Sequence, residues 1–311
     1  MRNQMGFGAV VMAMISTALV ASATQADDGA MLRDAASRFA APFVTIKFVL
    51  KMEGQFGDRE NETEATGVMI EPDGLVLASS SQLGTPRFMR QFGNARPTDL
   101  KVLIGDDTEG LPATVMARDT ELDLAWVKLK EPSKKKLEYL DLGKSVKPQV
   151  GDSLVFLRRM GKYFDRAVTV GQLRVAGKTT KPRELIVPGG GASLEPGLPA
   201  FTAQGEVVGF VVLQLPDAEE LESNFGAFAG LGRDIGSGLI LPTADVVKAT
   251  ERAKRGEIKG DAEESAAGKS ESKKKPASDD DEDDDKADAS QAKSAPQPKR
   301  PANDDDDDED E

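Results

Sequence analysis

TGVMIEPDGLVLAS, residues Thr66 to Ser79, is two apolar runs separated by Pro72-Asp73-Gly74. Proline presets φ and glycine tolerates positive φ, so the three residues reverse the chain and the flanking runs pair as a hairpin. Working outward, the texture is β from residue 37. Pro42 to Lys51 alternates, with Val44, Ile46, Phe48 and Leu50 on one face and Thr45 and Lys47 on the other. Short runs recur at Lys101–Ile104, Ala113–Ala117, Leu124–Leu129, Ser153–Leu157 and Ala167–Val175. A second hairpin joins Ala200–Phe201 to Val207–Leu215 across Ala203-Gln204-Gly205, and Leu239–Leu241 is the last run. Many short strands with turn signals between them predict an all-β sandwich or barrel. One helix is expected, at the end. Thr243 caps it, Asp245 suits its first turn, Val246, Val247 and Ala249 form its apolar stripe, and it stops near Gly256 or Gly260.

The chain has 311 residues, and a hydrophobic share of 39% is enough for a core. Its net charge of −13 is unevenly placed: residues 261–311 hold 20 Asp/Glu against 8 Lys/Arg, so the preceding part is close to neutral. With no basic field to neutralise phosphates, nucleic acid is not an expected partner. From residue 261 onward there is no Val, Ile, Leu, Met, Phe, Tyr or Trp, so this tail cannot offset its ordering entropy and is predicted to be disordered. It ends in the acidic block Asp304–Glu311. Two roles suit it: solubility through charge repulsion, and loose, salt-sensitive attraction of basic proteins or Ca²⁺. Its spacing has no EF-hand pattern, so Ca²⁺ binding would be weak.

At the other end, Arg2, the apolar run Gly6 to Val20 and small-residue sites after Ala23 and after Ala26 read as a secretory signal, residues 1–26. As an uncleaved anchor the run is short for a span of about 20 residues. After cleavage no stable membrane span is expected, and the destination is periplasmic or secreted. There is no Cys, hence no disulfide, and no His, hence no imidazole base. Without either residue, structural zinc and most transition-metal sites are not expected, and no cofactor is implied.

In their order along the chain these runs resemble the HtrA (DegP-like) branch of the trypsin-like proteins, over roughly Pro42 to Gly260. The resemblance lies in Thr66–Ile70 with Gly74–Leu77, Leu122-Asp123-Leu124-Ala125, Val150-Gly151-Asp152, Gly171-Gln172-Leu173, Gly197-Leu198-Pro199 through Gly205–Phe210, Gly236–Thr243 and Arg255-Gly256-Glu257. It implies a trypsin-like double six-stranded β-barrel, with a first barrel over 37–130, a connection over 131–149, and a second barrel with the C-terminal helix over 150–258. The acidic tail stands where the family usually carries PDZ domains.

The family's chemistry uses a histidine base, an orienting carboxylate and a nucleophilic serine, in that order. Counted from the hairpin, the histidine position falls on Ser81. The carboxylate position falls on Asp123, which keeps its residue type. The serine position, counted back from Pro199, falls on Pro196, or on Gly197 with a one-residue shift. The oxyanion hole in this family uses the N–H of the serine and of a glycine two residues earlier. Pro196 has no N–H and Leu194 replaces the glycine, with Glu195 between them. Ser81, Asp123 and Pro196 thus read as vestigial triad positions, and Leu194 and Glu195 as a vestigial oxyanion loop. No catalytic residue is expected.

Other features have bland and sharp readings. Ser193 and the Ser79–Ser81 cluster could supply a Ser–Lys dyad, or be loop serines favoured for turn hydrogen bonds. Asp123 is a relic of the triad or a turn residue bonding nearby N–H groups. Gly189-Gly190-Gly191 is a flexible loop, since no phosphate-loop lysine follows it. Arg87, Arg90 and Arg96, with Phe88 and Phe92, look inserted after the histidine position, as a solvated loop or a partner-binding rim. Lys134-Lys135-Lys136 belongs to the solvated connection, and Asn61-Glu62-Thr63 fits a glycosylation sequon. Three functions follow. The first is an exported non-catalytic protein holding an extended peptide or protein in the old cleft. The second is an active serine endopeptidase with a rearranged catalyst. The third is a cell-envelope structural protein whose tail meets basic partners.

Overall fold

The computed structural model describes residues 29–54, 58–85, 93–190, 194–214 and 238–258, all within a compact unit that ends at Lys269. Residues 1–26, read as a signal, Arg87 to Phe92, Gly191, Ser193 and residues 261–311 lie outside the described residues. Twelve strands are described: β1 (Phe43–Gly54), β2 (Arg59–Glu71), β3 (Leu75–Ser79), β4 (Gly93–Ile104), β5 (Leu111–Asp119), β6 (Leu124–Leu129), β7 (Ser153–Arg159), β8 (Val168–Lys178), β9 (Ile186–Pro188), β10 (Pro199–Phe201), β11 (Val207–Val212) and β12 (Leu239–Pro242). They close into two antiparallel six-stranded barrels, in the orders β1-β2-β3-β6-β5-β4 and β10-β11-β12-β9-β8-β7. This is the double barrel the resemblance implies.

The opening hairpin forms as read. Val68 pairs with Leu77 and Met69 with Val76, and Gly74 takes φ +89° with its N–H donating to Glu71 O at 3.2 Å. The alternating face of β1, Val44, Ile46 and Phe48, fills the first barrel. A larger apolar cluster joins Val68, Leu77 and Trp126 of the first barrel to Leu154, Phe201 and Phe210 of the second. The barrels therefore share a core.

The ends differ from the sequence reading. Residues 29–39 form a helix, α1, which the sequence reading did not expect; the β texture read from residue 37 begins only with β1 at Phe43. Met31, Ala35 and Phe39 lie four apart and pack as one stripe on the shared core, and Phe39 stacks on Phe201 with ring centroids 5.2 Å apart. The closing helix, α2 (Thr243–Lys254), follows Pro242 at its N-cap, not Thr243. Thr243 is instead buried, and its hydroxyl donates to Val207 O at 3.0 Å. The helix does stop at Gly256, which takes φ +71°. Trp126 Nε1 donates to Thr250 Oγ1 at 3.0 Å, which ties α2 to the first barrel.

Three strands run beyond, or outside, the apolar runs that signal them. Arg59–Glu64 extends β2 because its acids meet lysines on β1, Lys51–Glu60 and Lys47–Glu62, both at 2.8 Å. Arg96 lies in β4, paired with Lys51, and not in an inserted loop. The three-residue β9 is too short for any periodicity to announce it. Lys134 to Lys136 are exposed, as read.

Candidate functional site

The site is built around the turn between β5 and β6. Asp119 Oδ1 accepts from the N–H groups of Glu121 and Leu122 at 3.1 and 2.9 Å, which folds the turn back on itself. Asp123 then takes φ +56°, a left-handed conformation that aspartate tolerates better than most residues. That conformation helps set a side chain only 3% exposed at the junction of the barrels.

Among the described residues the carboxylate's hydrogen-bond partners are neutral. Oδ1 accepts from Ser81 N at 2.7 Å, and Oδ2 from Leu213 N at 2.8 Å. The hydroxyl of fully buried Ser79 lies 2.9 and 3.0 Å from the two oxygens. Burial pushes the Asp123 carboxyl above its ordinary range, while the bonds from Leu213, Ser81 and Ser79 pull the other way and only in part offset it. The turn reading of Asp123 thus needs correction. Its partners are not local: they lie 44, 42 and 90 residues away, on both barrels.

Ser81, at the histidine position, follows directly on this bond network. Its hydroxyl is 2.8 Å from Ser79 Oγ, and since the single proton of Ser79 goes to Asp123, Ser81 is the donor. Ser80 is held differently. The buried guanidinium of Arg118 donates to its hydroxyl at 3.2 Å and to its carbonyl at 2.9 Å. Gly84 leaves room beside this contact: a Cβ there would stand 2.6 Å from Arg118 Nη1 and 2.9 Å from the Ala95 carbonyl oxygen. No lysine bonds to Ser79, Ser80 or Ser81 among the described residues. A Ser–Lys dyad has no support there, and Ser193 lies outside them.

From the second barrel, the segment Leu194 to Leu198 comes against the same corner. Gly197 has φ +91°, and a Cβ on it would lie 3.0 Å from Ser79 N. Its N–H donates to Val211 O at 2.7 Å. In either register of the serine position the amide is therefore missing: Pro196 has none, and that of Gly197 is spent inside the barrel. Leu194 packs toward Gly238, where a Cβ would lie 3.4 Å from the leucine Cβ.

Glu195 has a role its sequence position did not show. Its Oε1 accepts from Thr66 Oγ1 at 2.8 Å and Gln82 Nε2 at 3.3 Å, both on the first barrel, and Oε2 is 4.0 Å from Arg158 Nε on the second. The carboxylate bridges the two barrels. The other amide atom, Gln82 Oε1, is buried and takes no hydrogen bond among the described residues. No sequence signal links Thr66 to a residue 129 positions on, nor Asp123 to the Leu213 amide. Among the described residues no group of three His, Cys, Asp or Glu side chains is placed to hold a metal, and no helix is long and apolar enough to cross a membrane.

Comparison with known families places this corner within one match. The trypsin-like peptidase domain matches residues 65–210, a span that contains Ser81, Asp123 and Leu194 to Gly197. The match supports a trypsin-like peptidase family, and the two closed barrels agree with it in fold. No curated protein matches the chain significantly.

Proposed function

We propose that this is an exported, non-catalytic protein of the HtrA type, which uses the cleft between its barrels to bind an extended peptide or protein segment. One observation carries the reading: the groups at the old catalytic corner are spent on structure. Asp123 orients no base, since the chain has no histidine, and its carboxylate instead receives Ser79, Ser81 N and Leu213 N. The nucleophile position offers a proline without a hydroxyl or amide, or a glycine whose amide is taken by Val211. Loss of an oxyanion donor alone costs about 10²–10³ in rate, and loss of the triad leaves about 10³–10⁴ over water, so peptidase activity falls below detection.

Binding survives such losses because strand addition needs only backbone groups and a few convergent side chains. Gln82 Oε1 supports this. An unsatisfied buried acceptor costs about 1–3 kcal/mol, and a peptide N–H would relieve that cost. Export rests on Arg2, the run Gly6–Val20 and the sites after Ala23 and Ala26, and the acidic tail is an independent handle for basic partners.

Incubation of the full chain with unfolded casein tests the reading. Retention of casein fragments without their cleavage is the expected outcome. Cleavage that persists through repurification and is abolished by Ser→Ala at position 79, 81 or 193 would establish the rearranged peptidase instead.

A further inference from the structure

The connection between β7 and β8 is shaped for a task that neither the barrels nor the cleft requires. Tyr163 is 92% exposed, Phe164 57% and Val168 37%, and these are three of the six large apolar side chains left exposed among the described residues. The two rings stand edge to face, 5.1 Å apart, on a single 3₁₀ turn over Lys162–Phe164. A Cβ added to Gly161 meets nothing within 4 Å, so the turn projects into open space.

Its backbone is held there at a cost. Asp165 and Arg166 both take left-handed φ, 55° and 48°, in succession. Non-glycine residues in that region cost about 1–2 kcal/mol each and persist where surrounding contacts determine them. The contacts are visible. Met160 N donates to Ala167 O at 2.9 Å and closes the neck of the hairpin, and buried Arg166 donates to Glu64 on the first barrel at 2.9 Å. The base is fixed to both barrels while the aromatic tip faces solvent.

The tip's charge selects its partner. Between Arg158 and Arg166 the chain carries four basic residues against the single acid Asp165. Arg166 is paired with Glu64 and Arg158 lies 4.0 Å from Glu195, so the cation on the turn beside the rings is Lys162. Aromatic rings on a convex tip, beside a cation, match the chemistry of a bilayer interface, where rings enter the headgroup level and basic residues meet anionic lipid. An acidic peptide would need a groove, and the tip is a projection. The chain's overall negative charge does not prevent this, because fields beyond a Debye length of about 8–10 Å are screened and most of the net charge lies in residues 261–311.

We infer that the β7–β8 hairpin docks the protein peripherally on an anionic lipid surface through Tyr163 and Phe164. The test is sedimentation of the full chain with vesicles of phosphatidylcholine alone or mixed with phosphatidylglycerol. Retention on the mixed vesicles only, weakened by salt, is expected. Tyr163→Ser/Phe164→Ser should lower that retention by roughly tenfold or more without changing the unfolding midpoint, since both side chains are exposed, and Lys162→Glu should lower it too. Equal retention on both vesicles, none on either, or unchanged retention of the aromatic variant would overturn the inference. So would a polyglutamate peptide that binds through the same two rings while vesicles do not.

Discussion

Ser79 and Asp123 face each other across 44 residues of chain, with the serine hydroxyl 2.9 and 3.0 Å from the two carboxylate oxygens. A carboxylate that could orient an imidazole is here satisfied by a serine from the adjoining strand. The same carboxylate reaches the amide of Leu213 on the second barrel, so it works as a tie between the barrels. At this corner the acid has a structural use.

Asp123→Asn should destabilise the fold. An amide NH₂ in this site faces donors already fixed by the backbone, and leaving one N–H without an acceptor costs about 1–3 kcal/mol. The pH dependence has a definite sign. Burial raises the folded-state pKa of Asp123 above its unfolded value of about 4, so ionisation lowers stability as pH rises through that interval. Urea unfolding of both proteins over a pH series should show the wild-type advantage largest at acid pH and shrinking as pH rises.

Gly205→Ala should loosen the seat of α1. Gly205 has φ +86°, and a Cβ there would lie 1.9 Å from the Phe39 ring, which must leave its stack on Phe201. Strain and lost packing together should cost about 2 kcal/mol or more. The thermal midpoint reads the loss, and added proteolysis near residues 29–39 would locate it.

Supplying the side chains of a serine peptidase should not supply its chemistry. Ser81→His with Pro196→Ser supplies an imidazole and a hydroxyl, but Ser79 still occupies the Asp123 carboxylate and Leu194 still stands at the glycine position. Casein hydrolysis by this variant should stay at background, and adding Ser79→Ala with Leu194→Gly is the first combination in which activity is expected.

The barrels were legible where burial imposes a period. The face of Val44, Ile46 and Phe48 and the turn at Pro72-Asp73-Gly74 carry their geometry in local sequence. Other elements take their reason from tertiary contacts. The helix over 29–39 shows only a thin stripe until it meets Phe201, and the polar end of β2 is a strand because lysines of β1 face it. Thr243 has the chemistry of a cap but is drawn to the Val207 carbonyl. At the site, position along the chain singled out Ser81 and Asp123, and the fold brings these two into hydrogen-bond contact. The Thr66–Glu195 bond and the Leu213 amide were illegible, because they depend on how two barrels dock.

The most direct measurement is labelling of the full chain with a fluorophosphonate probe, read by mass spectrometry of tryptic peptides. If the catalytic corner has been given over to structure, no serine carries an adduct after prolonged incubation. A stoichiometric adduct on Ser79, Ser80, Ser81 or Ser193, lost when that serine becomes alanine, would contradict the account.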